Sequence, residues 1–484
     1  MNQEKMPLFS GLVRYSKRNP IQFHIPGHKK GAGMAPAFRE FVGQNALSID
    51  LINIAPIDDL HNPHGIIQEA QALAAEAFRA DRTFFSVQGT SGAIMTMILA
   101  SVGPDEKILV PRNVHKSILT AIVFAGAIPV FMTPEIDHNL GVAHGVSVAT
   151  VRRALGENPD AKALLVINPT YYGVASDLRE IVETAHQYQI PVLVDEAHGA
   201  HLYFHADLPV AAMDAGADMA ATSIHKLGGS LTQSSILNVK EGLICLHKVQ
   251  AVFNMLTTTS TSYLLLASLD AARMQLATKG EQMLTQAIEL ANWARDQINA
   301  IPGLWCLNSN TIGGRSSSYR LDPTKLCISV KDLGLTGIEV ETLLRDEHNI
   351  EVELSDLYNI LAIVSIGDAQ GTVQALVEAL RSIAYARHDR RPRKVHVRVP
   401  DLPQPALTPR EAFYRRSAPI AFADSAGRIA AEFVMVYPPG IPILMPGEWI
   451  TQRNIDYIME HLEAGLPVQG TEDSTLEYIR VVVD

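Results

Sequence analysis

Cysteine is scarce in this 484-residue chain: Cys245, Cys306 and Cys327 lie far apart and make no Cys-x-x-Cys pair. A reduced, cytosolic compartment is the simplest reading. Excess positive charge is missing as well. The 40 Lys and Arg against 51 Asp and Glu leave a net charge of -11, which argues against a general nucleic-acid binder and suits a cationic substrate. The opening Met1-Asn-Gln-Glu-Lys5 lacks the apolar core of a signal peptide. The longest uncharged stretch, near Ala251 to Leu269, is too rich in Thr and Ser for a membrane span. No internal repeat and no low-complexity tract is visible. What remains is 47% hydrophobic and 19% charged, the composition of a globular protein with a large core and two or three domains. A soluble, cytoplasmic protein without a membrane or nucleic-acid partner is expected.

From about Arg82 to Leu237 short apolar runs alternate with helical spacing. Runs at Thr83–Val87, Lys107–Val110, Ile128–Phe131, Ala163–Ile167, Pro191–Val194 and Met219–Thr222 read as buried strands. Near-continuous apolar strands alternating with helices predict an α/β fold with a mostly parallel sheet covered on both faces. Ligands of such sheets bind beyond the carboxyl ends of the strands. A long helical zone follows, about Thr261 to Ile301. Then Lys325–Val330 and Ile350–Leu354 read as strands, with helices at Thr336–Arg345 and Thr372–Tyr385, a smaller α+β domain. The basic run Ala386 to Lys394, followed by Pro400, Pro403 and Pro405, reads as a solvated linker. Thr408-Pro-Arg-Glu411 is a capping box that opens a last unit containing the rigid, proline-rich loop Tyr437 to Glu448. The expected division is an N-terminal arm over 1–60, a major domain over 61–310, a small α+β domain over 311–385, a linker over 386–407 and a C-terminal α+β domain over 408–484.

The strand ends carry the chemistry. Ser223-Ile-His-Lys-Leu-Gly-Gly-Ser230 sets a lysine behind a Ser-x-His and before two glycines. Val192-Leu-Val-Asp195-Glu-Ala-His198 ends another apolar strand in a carboxylate and a histidine. An enzyme using pyridoxal phosphate (PLP) needs a lysine to hold the aldehyde and an acid to keep the ring nitrogen protonated; Lys226 and Asp195 are the candidates. Asp195 alone also reads as a carboxylate capping the next turn. Gly89-Thr90-Ser91-Gly92 follows a strand and opens a helix, where free N–H groups and hydroxyls suit a phosphate. It is not a P-loop, because no Gly-Lys-Ser/Thr follows, and an ordinary strand–helix turn is the competing account. His115 follows another strand and reads as a stacking imidazole or as a polar loop residue. His198, His201 and His205 with Glu196 match no zinc spacing, so no metal is expected. Thr257 to Ser262 reads either as hydroxyl donors or as the cap of the long helix. His24-Ile-Pro-Gly-His28-Lys-Lys-Gly31 is a basic, glycine-bounded loop, more often a surface turn than a site. Glu351, Glu353 and Asp356 read as a receiver for a distal cation or as an acidic surface strand.

Together these motifs resemble the bacterial fold-type-I ornithine/lysine/arginine decarboxylases. The matching pieces are His24–Gly31, Phe85–Gly92, Arg112–Ser117, Asp195–His201, Ser223–Lys226 and Tyr437–Pro442, in order along nearly the whole chain. The length matches compact members that lack an N-terminal receiver-like wing. Leu51–Ile54, Thr257–Tyr263 and Glu351–Tyr358 extend the likeness to the biosynthetic arginine decarboxylases of Gram-positive bacteria. The resemblance implies a seven-stranded, mostly parallel sheet and conversion of L-arginine to agmatine and CO2 at the entry to polyamine synthesis. It implies Lys226 as the Schiff-base lysine, Asp195 at the pyridine nitrogen, His115 stacked on the ring and His198 near the phenolic oxygen. Thr90, Ser91, Gly92, Ser223 and His225 are implied at the phosphate, Glu353 or Asp356 at the substrate guanidinium. A homodimer or higher homo-oligomer with active sites at the interface is implied too.

Lysine or ornithine as substrate, and an aminotransferase of the same fold, remain alternatives from sequence. A PLP-sensing regulator is disfavoured, since the stretch before Arg82 is too short to hold a DNA-binding domain as well as the catalytic arm.

Overall fold

The computed structural model describes residues 1–312, 317–386, 400–436, 441–463 and 468–483. The basic run of the expected linker, residues 387–394, and residues 437–440 of the proline-rich loop lie outside the described residues. No helix among the described residues is long and apolar enough to cross a membrane.

The larger sheet is built from β1 (Arg82–Ser86), β2 (Lys107–Pro111), β3 (Ile128–Met132), β4 (Ala163–Ile167), β5 (Val192–Asp195), β6 (Met219–Thr222) and β7 (Ser235–Val239). Its seven strands run in the order β1-β7-β6-β5-β4-β2-β3. The fold is the expected α/β type. Six of the strands are those read as apolar runs. The seventh, β7, pairs antiparallel with both β1 and β6, as Phe85 opposite Ile236 and Ile236 opposite Thr222 illustrate. The pairs β5–β6, β2–β3 and β2–β4 are parallel. Strands such as β5 and β6 are buried along their whole length, which explains why they read as continuous apolar runs.

By density of contacts the chain divides into two compact units, Met1–Ser101 with Pro191–Thr285, and Val102–Ile190 with Gln286–Asp484. In the first, β1 leads through a tight turn into α1 (Gly89–Ser101). Gly89 takes φ +67, which favours glycine, and a Cβ there would meet nothing within 4 Å. The N-terminal helix Pro7–Lys17 is tied down by a buried ion pair. Asp270 Oδ2 accepts from Leu8 N at 2.9 Å and Phe9 N at 3.2 Å, and Arg273 donates to Asp270 at 2.5 Å.

In the second unit α2 (Lys116–Ala125) follows β2. A smaller sheet has the order β8-β9-β11-β10, from β8 (Trp305–Cys306), β9 (Lys325–Ser329), β10 (Leu354–Ser355) and β11 (Asn359–Ile363). It is covered by α3 (Gly337–His348) and α4 (Gln370–Ala386), whose Val340, Leu344, Val377 and Leu380 join its core. The expected strand over Ile350–Leu354 does not form. Asn349 ends α3 in the left-handed region, and Glu351 is drawn to Arg345 at 3.0 Å. Contact with β11 therefore begins only at the end of this stretch, where Glu353 N donates to Leu361 O at 2.9 Å and Leu354 stands opposite Leu361. The Thr408–Glu411 capping box is formed, and it opens α5 (Pro409–Tyr414). The C-terminal core gathers Phe422, Val434, Leu444, Ile458 and Ile479.

Candidate active site

The first unit brings together most of the residues singled out in the sequence. Apolar β5 ends at Asp195, and apolar β6 ends just before Ser223. A single helical turn, Ile224–Leu227, then presents Lys226. Its Nζ lies 2.9 Å from His198 Nε2, within hydrogen-bond distance. Asp195 is buried, and its Oδ1 accepts from Ala197 N at 3.1 Å, which orients the carboxylate.

A cluster of hydroxyls lies at the start of α1. Thr90 Oγ1 is hydrogen-bonded to Ser223 Oγ, and lies 2.8 Å from Ser235 Oγ. Ser91 and Gly92 occupy the same first turn. Gly92 has no room for a side chain, since a Cβ would stand 2.6 Å from Gln88 Cβ. His225 Nδ1 donates to Ser234 O at 2.8 Å, which fixes the imidazole plane. Ser235 escaped the sequence reading. Its relevance comes from standing opposite Ser86 in the antiparallel β1–β7 pair, a register that no local pattern announces.

Glu196 does not join His198, His201 and His205 in a metal site. It turns the other way into the core, with no exposed surface. Its carboxyl accepts from Ala212 N at 2.7 Å, Tyr203 Oη at 2.8 Å and Thr222 Oγ1 at 2.9 Å. Burial pushes its pKa up to about 8, against the pull of these donors and with help from Asp214. Burial and the donor set act in opposite directions here; burial is the larger because no water reaches either oxygen. His205 bonds instead to Thr285 Oγ1 at 3.0 Å. Thr257 ends the helix Leu246–Leu256, and Ser262 Oγ accepts from Leu265 N at 3.4 Å, capping the long helix Tyr263–Asn299.

The other candidates belong to the second unit. His115 is the N-cap of α2. Its Nδ1 accepts from Ser117 N at 3.2 Å and lies 2.8 Å from Ser117 Oγ. Asp356 is only 1% exposed, and its carboxylate accepts from Tyr358 N and Asn359 N, each at 2.8 Å, and from Tyr172 Oη at 3.2 Å. Burial pushes its pKa up to about 6. These internal donors leave Asp356 ill suited to receive a substrate cation. Glu353 is exposed and accepts from Tyr171 Oη at 2.5 Å. It lines a cavity of about 650 Å³ with His348, Glu351 and Asp368.

A primary amine beside an imidazole, a buried carboxylate closing the neighbouring strand, and hydroxyls at an open helix start suit an aldehyde cofactor with a basic ring nitrogen and a phosphate. The open space beside Gly89 is what a phosphate needs to approach the backbone. The fold is that of the fold-type-I PLP enzymes. Its solved neighbours include lysine decarboxylase A from Pseudomonas aeruginosa, matched with a TM-score of 0.85 over 99% of this chain and 80% of that one at 24% identity. Residues 6–372 match the family model "Orn/Lys/Arg decarboxylase, major domain" and residues 393–471 match "Orn/Lys/Arg decarboxylase, C-terminal domain". The chain belongs to this family and is a decarboxylase. It is 62% identical over 484 residues to the arginine decarboxylase of Bacillus subtilis (strain 168), covering 100% of this chain and 99% of that protein. It is 63% identical to the arginine decarboxylase of Halalkalibacterium halodurans, covering 99% of this chain and 98% of that protein.

Proposed function

We propose that the chain converts L-arginine and a proton to agmatine and CO2 with PLP as cofactor, at the entry to polyamine biosynthesis. What carries the reading is identity of 62% and 63%, over essentially full length, to proteins named arginine decarboxylase. Lys226 would hold the cofactor's aldehyde carbon. Thr90, Ser91, Gly92, Ser223 and His225 would receive its phosphate, and His115 would lie on its ring face. His198 would stand near the phenolic oxygen. When bound, PLP supplies an electron sink for the pair left as the Cα–carboxylate bond breaks. Asp195, oriented by the Ala197 amide, holds a proton at the pyridine nitrogen. Lys226 and His198, 2.9 Å apart, share a proton between Nζ and Nε2. For the distal guanidinium we assign Glu353, whose exposed carboxylate offers two oxygens to a planar cation.

We also propose that the protein works as a homodimer or larger homo-oligomer with active sites at the interface. In support, Ile21 (88% exposed), Phe23 (95%) and Phe41 (91%) are large apolar side chains left bare in the N-terminal region. The domain division at 60, 310, 385 and 407 is part of the same reading.

The test is a side-by-side assay with arginine, lysine and ornithine in the presence of PLP, following CO2 and keto acid. Preferential turnover of lysine or ornithine overturns the arginine assignment, and keto acid in place of CO2 overturns decarboxylation.

A further inference from the structure

The loop that carries His115 begins at Arg112, one of the largest fully buried side chains in the protein. Its guanidinium is 1% exposed and meets Glu448, 5% exposed, in a two-pronged pair: Nη1 to Oε1 at 2.6 Å and Nη2 to Oε2 at 2.8 Å. Nε donates to Pro442 O at 2.9 Å, and the guanidinium carbon stands 4.7 Å from the centroid of Phe131. Glu448 Oε2 also accepts from Met445 N at 2.9 Å. A buried, bidentate pair with these extra bonds has one geometry, unlike a surface pair that drifts. It joins the region matching the major-domain model to the region matching the C-terminal one.

The grip is repeated at the far end of α2. The helix stops at Gly126, in the left-handed region at φ +71. A Cβ there would stand 2.5 Å from Arg410 Nη1, so Arg410 of α5 lies directly against the helix end. A guanidinium suits the negative end of a helix dipole. Between these two holds, the orientation of His115 follows from the first turn: Nδ1 accepts from Ser117 N, and Ile118 N donates to His115 O at 3.0 Å.

We infer that Glu448, acting through Arg112, is a positioning residue for the reaction: the C-terminal segment fixes the loop and helix that aim His115. The inference rests on the reading that His115 meets the cofactor ring.

The test uses the full chain with and without PLP. Replacing the pair by apolar side chains of similar volume, Arg112→Met with Glu448→Met, avoids leaving one charge buried alone. Expected are an unchanged circular dichroism spectrum and faster amide exchange at Ser117 and Ile118 in the PLP-free chain. PLP binding should weaken and kcat fall by up to about 10²-fold, with KM nearly unchanged, since misplacing a group by ~1 Å can cost that much. Wild-type exchange, PLP affinity and kcat in this double variant overturn the proposal. Should it fail to fold, Arg410→Ala decides: faster exchange over Ser117–Ala125 with weaker PLP binding upholds it, and wild-type behaviour in both overturns it. His115→Ala is measured alongside. If that variant binds PLP and turns over as wild type, the cofactor reading of His115 fails and the positioning role falls with it. A His115→Ala defect beside a wild-type double variant overturns the positioning role alone.

Discussion

Replacing Glu196 by glutamine tests how burial sets the charge beside the active-site strand. Glu196 has no exposed surface, and its pKa stands at about 8 against a usual 4.5. A raised native pKa means that the folded chain keeps the proton after the unfolded chain has lost it. The stabilising contribution is therefore fully present below pH 4.5 and is lost as pH rises to about 8. The slope is about 1.4 kcal/mol per pH unit, and the whole window amounts to about 5 kcal/mol. Glutamine has the same shape and keeps an oxygen for the Ala212 amide. Its amide nitrogen can donate to Tyr203 and Thr222, whose hydroxyls can accept as well as donate. The variant carries no titrating group there, so its stability should not fall through this window on that account. Urea unfolding of wild type and Glu196→Gln at fixed protein concentration, at pH 5 and pH 8, gives the difference directly. Relative to wild type, the variant should gain several kcal/mol between the two pH values. A constant difference would refute the reasoning: it would mean that the three donors hold Glu196 ionised at pH 5.

Lys226→Ala should abolish the visible absorbance of protein-bound PLP and lower turnover by about 10³-fold or more, because both covalent attachment and the paired base are lost. Asp195→Asn should still bind PLP while kcat falls by roughly 10²–10³, since an amide cannot hold the ring proton; a near-wild-type kcat would remove Asp195 from that role. Arg273→Ala should cost about 3–5 kcal/mol in chemical denaturation, because it strands the buried carboxylate of Asp270 beneath the N-terminal helix. Phe23→Asp with Phe41→Asp should shift the molecular mass in analytical ultracentrifugation towards the monomer; an unchanged mass would place the interface elsewhere.

Much of this architecture was readable because buried parallel strands are continuous apolar runs, which need no partner to be recognised. The Thr408–Glu411 cap was readable for a similar reason: its hydrogen bonds span only three residues. Strand β7 was not among the apolar runs read as strands, since Ser235 and Asn238 interrupt its apolar pattern. The stretch from Ile350 to Leu354 looked like a strand from its alternation, yet Arg345 and the left-handed Asn349 take its first residues away from the sheet. Asp356 was credible as a cation receiver only while its internal donors were unknown.

The sequence by itself determined the family and the ends of the strands at which its chemistry is expected, because motif residues and apolar periodicity are local properties. Tertiary structure alone decided which polar groups meet across long separations. It put His198 against Lys226, Thr90 against Ser223 and Ser235, and Glu196 inside the core rather than in a metal cluster. It also joined Arg112 to Glu448 across more than three hundred residues. Such pairs depend on strand register and on burial, and both are set only when the whole chain has packed.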